Sequence, residues 1–178
     1  IEWSSDKIIS ETRKNVRNRL LEINPPAAMT VELAELMGAL AGDGSVGVRL
    51  SSQILSVCVH KPLVEYQKRI ADLFFKVFGR QAAIHQKKES INNVVLCSKF
   101  AVDFMNSAGL NAGCTYRNKR VPWSIWASSN EYRAAFIRGL FDTDGHCSRS
   151  LSLSCFNDDL ANDVQLLLLE MGIRSKVF

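Results

Sequence analysis

The spacing of apolar residues divides the chain into two similar runs of elements. Residues 5–23 place Ile8, Thr12, Val16 and Leu20 one helical turn apart, predicting an amphipathic helix that Pro25-Pro26 ends. Thr30 is a natural N-cap for the next apolar helix, with Glu32 favourable in its first turn. Ser45–Leu50 then alternates, with Val46, Val48 and Leu50 on one side and Ser45, Gly47 and Arg49 on the other. Ile54–His60 repeats the alternation, with Leu55, Val57 and Val59 inward and Ser56, Cys58 and His60 outward. Pro62 suits the first position of a helix that runs to Phe78 and stops at Gly79. Its predicted buried face is Leu63, Tyr66, Ile70, Leu73, Phe74 and Val77. A second hairpin is expected over Gln81–Lys87 and Ile91–Ser98, turning near Glu89-Ser90, followed by a helix from Ser98 to Gly109.

The second run begins after a connector at residues 110–129. Ser128-x-x-Glu131 reads as a capping box opening an apolar helix. Strands are predicted near His146–Arg149 and Leu151–Phe156, then a helix from Asn157 to Met171-Gly172, with Asp158 and Asp159 in its first turn. A last strand is expected at Ile173–Phe178. The resulting fold class is α+β. It comprises two pseudo-symmetric αββαββα repeats whose antiparallel sheets carry helices on one face, the second repeat lacking its final strand and helix. The organisation expected is an N-terminal helix and linker at 1–29, a first repeat at 30–109, the connector, and a second repeat at 130–178. The first segment could be a linker to a host domain, a DNA-contacting arm or a packing helix.

The two runs share a motif. Leu36-Met37-Gly38-Ala39-Leu40-Ala41-Gly42-Asp43-Gly44 returns about a hundred residues later as Ile137-Arg138-Gly139-Leu140-Phe141-Asp142-Thr143-Asp144-Gly145. Gly38 and Gly42 lie one turn apart, and Gly139 and Thr143 occupy the same places. Small residues at that interval let two helix backbones approach closely. A helical Gly costs roughly 1 kcal/mol against Ala, and close packing of the two copies is the natural compensation. Gly44 and Gly145 are expected to end the helices in the left-handed conformation. Asp43 and Asp144 would then meet at the negative ends of two helix dipoles, where two anions repel unless a cation lies between them. Paired carboxylates of this kind suit a hard divalent cation and phosphodiester chemistry.

Composition adds limits. Hydrophobic residues make up 47% of the 178 and charged residues 22%, which suits a packed core. The net charge of +4 is compatible with a nucleic-acid partner without demonstrating one. Basic clusters at Arg13, Lys14, Arg17 and Arg19, and at Arg117, Lys119 and Arg120, read first as solvated faces. The five Cys (58, 97, 114, 147 and 155) have no CxxC pairing or zinc spacing and read as reduced thiols of an intracellular protein. Cys147 stands where an EF-hand loop needs Gly, and there is no phosphate-binding glycine loop, signal peptide or membrane-length apolar run.

At the paired motifs the chain resembles the LAGLIDADG homing endonucleases. Gly139–Gly145 is a near match, and the first copy keeps its final Asp-Gly while carrying Ala41 where the family often has its first Asp. Val121-Pro122-Trp123-Ser124-Ile125-Trp126 is similar to the Pro-containing stretch ahead of the second motif in two-motif members. The resemblance implies saddle-shaped sheets and metal-dependent hydrolysis of double-stranded DNA across the minor groove, leaving short 3′ overhangs. It implies Asp43 and Asp144 as catalytic metal ligands, one per active site and straddling the helix interface, with Gly42 and Thr143 beside them as metal-site residues. Mg²⁺ is the implied cofactor; Mn²⁺ would substitute, and Ca²⁺ would bind without turnover. His60 and Lys61 match the place of a Gln-Lys pair in family members, Lys99 matches another basic site, and Asn157-Asp158 stand in the second repeat for His60-Lys61. Arg49, Gln53, His60, Gln81, His85 and Lys87 are expected on the open sheet face toward DNA, joined by Arg149, Arg174 and Lys176. The implied partner is DNA with a long asymmetric or pseudo-palindromic site. The protein would act as a monomer unless another chain completes the second repeat, away from membranes, and be encoded in an intron or intein. The alternatives are a non-cleaving binder such as a splicing maturase, an inactive fragment of an endonuclease, or a module that uses the repeat only for packing.

Overall fold

A computed structural model describes residue 23 and residues 25–49, 52–111, 113 and 117–178. The helix expected over 5–23 and the first basic cluster lie outside them. The first element, α1, spans Val31–Ala41; the Thr30 hydroxyl accepts from the Leu33 N–H at 3.1 Å and caps it. A sheet follows: β1 (Gly44–Arg49), β2 (Ser52–His60), β3 (Ala83–Lys88) and β4 (Ile91–Cys97), antiparallel in the order β1-β2-β4-β3. Helices α2 (Val64–Phe78) and α3 (Lys99–Ser107) complete the first repeat. After the connector come α4 (Trp123–Trp126), α5 (Asn130–Asp144), a short hairpin of β5 (Gly145–Cys147) and β6 (Leu151–Leu153), and α6 (Asp158–Glu170).

Alternation in the strands sets the core. Leu55, Val57 and Val59 of β2 and Val94 and Leu96 of β4 are buried with Ile70, Leu73, Phe74 and Val77 of α2 and Ala101, Val102 and Met105 of α3. Phe78 and Phe104 meet edge to face at 6.0 Å. Gly79 ends α2 at φ 67°, where a side chain would strain the backbone. Leu63, expected in the core, is 54% exposed: it caps α2 rather than lying in its first turn. The register also corrects Gln53. It pairs with Val48 and shares the row of Leu55 and Val57, so it does not belong to the open face.

The centre of the molecule is the pair α1 and α5. A Cβ on Gly38 would lie 2.0 Å from the Phe136 carbonyl oxygen, and one on Gly139 would lie 2.0 Å from that of Glu35. The contact is reciprocal, as the small-residue spacing predicts. Gly44 and Gly145 differ from expectation: neither has positive φ. The chain turns straight from helix into strand there, and a Cβ would strike the main chain of Leu40 or Phe141 at 2.2–2.3 Å. A buried carboxylate with two half-exposed guanidinium partners locks the pair. Glu35, 4% exposed, accepts from Arg69 of α2 at 2.6 Å and from Arg138 of α5 at 3.0 Å. Its desolvation is offset by two guanidinium partners.

Two further expectations are corrected in the second repeat. The residue that caps α5 is Ser129, without a side-chain bond, because the Ser128 hydroxyl turns back to the Ser124 carbonyl at 2.6 Å. Residues 173–178 form no strand. The N–H groups of Gly172 and Ile173 close the end of α6 on Leu169 and Leu168 at 2.9 and 2.8 Å, and no ladder partner is present among the described residues. Among the described residues, no helix is long and apolar enough to cross a membrane.

Candidate active site

Both motif aspartates lie where α1 and α5 end together. A Cβ on Gly42 would meet the Thr143 hydroxyl at 1.9 Å and an Asp144 carboxylate oxygen at 3.2 Å, so the two helix ends abut without room for a side chain between them. Asp43 leads into β1 and Asp144 into β5. A cleft of about 300 Å³ opens beside them, walled by Asp43, Asp144, Lys119, Cys155 and Asn157.

Electrostatics follow from that placement. Burial pushes the Asp144 carboxyl up to about 6, the Asp43 charge adds to the rise, and Lys119 opposes it. Burial also raises Asp43, against the pull of Lys119 and then Lys87. Two carboxylates that are costly to ionise side by side make a site that favours an added cation. Asp142, two residues away in sequence, belongs elsewhere: burial raises it, and its charged neighbours are Arg69, Glu35 and Arg138 of the ion cluster. Cys155 is held as a neutral thiol, pushed up by burial and then by Asp144.

Lys119 is the residue that sequence reasoning missed. Its ammonium donates to the carbonyls of Gly42, of Gly44 at 3.2 Å and of Leu40 at 3.5 Å, at the negative end of α1. The only sequence signal was its place in a basic cluster, which read as a solvated face. Lys99 lies elsewhere, paired with Asp103 on its own helix at 2.6 Å. His60 and Lys61 are exposed at the end of β2, where the buried Gln67 amide donates to both their carbonyls at 3.1 and 2.9 Å. The Thr143 hydroxyl donates to the Leu140 carbonyl at 2.8 Å, which leaves its oxygen lone pairs open to a metal.

The open sheet face holds part of the expected DNA-contacting set. Register puts Arg49 opposite Ser52, on the row of Ser45 and Ser56, and His85 opposite Asn93. The Lys87 ammonium donates to the Cys58 sulfur at 3.0 Å. Gln81 precedes β3 and is exposed. Arg149 is exposed in the β5–β6 turn. Arg174 and Lys176 are exposed after α6, with Lys176 over the Phe178 ring at 4.7 Å.

The donor set fits a hard divalent cation. It offers two carboxylates and main-chain oxygens at a negative helix end, and the one thiol in reach is protonated. Among the described residues, no group of three or more His, Cys, Asp or Glu could hold a metal, so remaining positions would fall to water and substrate oxygens.

Paired motif helices, an antiparallel sheet beside them and carboxylates at the shared helix end define a LAGLIDADG architecture. A family model described as a LAGLIDADG-like domain matches residues 131–178. Two solved structures of the homing endonuclease I-DmoI share the fold. One, of mesophilic variants, has a TM-score of 0.61 at 17% identity, covering 82% of this chain and 79% of that one. The other, in complex with DNA and Mn, has a TM-score of 0.61 at 16% identity, covering 83% and 81%. Residues 131–178 thus carry a LAGLIDADG-like domain, and the chain shares the fold of these homing endonucleases. Among curated proteins it is 33% identical over 149 residues to a replication factor C small subunit of Methanocaldococcus jannaschii, covering 82% of this chain and 8% of that protein. It is 26% identical over 165 residues to the ribonucleoside-diphosphate reductase NrdEB subunit alpha of Bacillus subtilis, covering 83% and 15%. It is 29% identical over 174 residues to a DNA polymerase of Thermococcus sp., covering 90% and 9%. The chain therefore spans 8–15% of the length of these relatives.

Proposed function

We propose that the protein hydrolyses phosphodiester bonds of double-stranded DNA at a specific site, cutting across the minor groove to leave short 3′ overhangs. The observation that carries this reading is the meeting of Asp43 and Asp144, one from each repeat, in an open cleft whose wall includes Lys119. Asp43 and Asp144, with Thr143 beside them, would hold Mg²⁺, or Mn²⁺ in its place, while the Gly42 carbonyl stays with Lys119. Bound there, the cation supplies Lewis acidity and lowers the pKa of water. The chain's own residues do the rest. Above pH 6 Asp144 is ionised and ready to ligate. Lys119 offsets the paired negative charge and stands ready to face the charge that builds on phosphate. His60, His85 and Lys87 lie along the sheet of the first repeat, which suits a major groove on one side of the cut. Two unlike halves in one chain suit a monomer on an asymmetric site.

A second reading concerns origin. The matched curated proteins have unrelated activities, yet each shares only a short stretch with this chain. That pattern supports a module carried inside host proteins, as an intein carries its endonuclease.

The test is in-vitro cleavage selection on a randomised DNA library with Mg²⁺, beside Asp43→Asn and Asp144→Asn. Recovered sites should carry 3′ overhangs, and each variant should lose at least about a thousandfold in rate, as expected when several kcal/mol of charge stabilisation go. Salt-sensitive DNA retention without a cut would overturn the reading in favour of a non-cleaving binder.

A further inference from the structure

Lys119 lies in the irregular connector, yet both ends of the residue are gripped, and by different repeats. Its ammonium rests on the carbonyls that end α1 of the first repeat. Its own carbonyl accepts from the Asn157 side-chain amide of the second repeat at 2.7 Å. Asn157 is 7% exposed, and its other atom, Oδ1, caps α6 by accepting from the Asp159 N–H at 2.9 Å. The grip continues along the connector. Asp163, 6% exposed on α6, accepts from Arg120 Nε at 2.6 Å, Arg120 Nη2 at 2.8 Å and the Val121 N–H at 3.1 Å. Residues 119, 120 and 121 are thus pinned in sequence to one helix.

A lysine has a flexible four-carbon stem, so its charge is placed only as well as its main chain and its ammonium partners hold it. We propose that Asn157 and Asp163 are positioning residues that aim Lys119 at the Asp43–Asp144 pair. The outer helix of the second repeat then sets the charge balance at the end of the first motif helix. The inference rests on the nuclease reading for its consequence in rate, and on geometry alone for the grip itself.

Asn157→Ser separates the two jobs of the side chain. A serine hydroxyl still caps α6 but is too short to reach the Lys119 carbonyl. The readout is hydrogen exchange of the lysine ammonium groups in ¹⁵N-lysine protein without metal, with Lys119→Met identifying the Lys119 signal. The wild type should show a protected Lys119 ammonium; Asn157→Ser and Asp163→Asn should lose that protection. Asn157→Ser should keep the wild-type melting temperature, lower the cleavage rate at saturating DNA about tenfold or more, and leave DNA affinity unchanged, the pattern of a displaced catalytic group. Unchanged protection and rate in Asn157→Ser would overturn the proposal. A wild type that protects Lys119 but cuts no DNA would instead sink the nuclease reading and leave the grip standing.

Discussion

Asp144 is held in a place that penalises its charge. Its folded pKa of about 6 lies above the ordinary 3.8, because burial and Asp43 favour the proton. Below the ordinary value both folded and unfolded chains carry the proton, and the shift has no effect on stability. As pH rises toward 6 the unfolded chain ionises first, so stability falls across that window and stays lowered above it. Asp144→Asn removes the penalty. It should raise the melting temperature at pH 8 by a few degrees, for about 1–2 kcal/mol after allowing for partial exposure, and leave it unchanged near pH 3.5. Thermal melts at the two pH values check this, and an equal gain at both would contradict it. The two aspartates were legible in the sequence because a repeated Asp-Gly after an apolar turn is a local pattern. Lys119 was not, because its role depends on carbonyls more than seventy residues away. Lys99 matches a basic site only through the family resemblance, and the fold gives it a neighbour of its own, Asp103.

The helix pair α1 and α5 carries both the fold and the site. Gly→Ala in a helix ordinarily gains roughly 1 kcal/mol, but here the added methyl would stand 2.0 Å from a backbone oxygen of the facing helix. The backbones must separate, so Gly38→Ala or Gly139→Ala should destabilise by about 1–3 kcal/mol in spite of the propensity gain. Urea unfolding measures the change, and stabilisation by either substitution would contradict the packing. The glycine interval made this contact readable before any coordinates. The strands of the first repeat were readable from alternation, although Gln53 was misplaced by one row because alternation locates a strand better than its first residue. Local signals failed where tertiary partners decided the outcome. Ser128 bonds backward to Ser124 rather than forward as a cap, and 173–178 has strand-like residues without a strand to pair with among the described residues.

Across the described residues, contacts of three kinds join the two repeats. The glycine faces bring the helices together, Glu35 ties α1 to α2 and α5, and the connector is bolted to α6 by Asn157 and Asp163. The first of these sets the spacing of the helix ends that carry Asp43 and Asp144. A shared site made from two halves needs that rigidity, since a misplacement of about 1 Å can cost a hundredfold in rate. The overall two-repeat plan was visible in the order of elements, while the bolts between repeats were not, because they join residues from distant parts of the chain. If Asp43 and Asp144 share a divalent cation, paramagnetic Mn²⁺ titration followed by amide NMR will reveal it. Selective broadening is expected at residues 42–44 and 143–145, abolished in the Asp43→Asn, Asp144→Asn double variant. Broadening that survives the double variant, or that centres on other carboxylates, would contradict it.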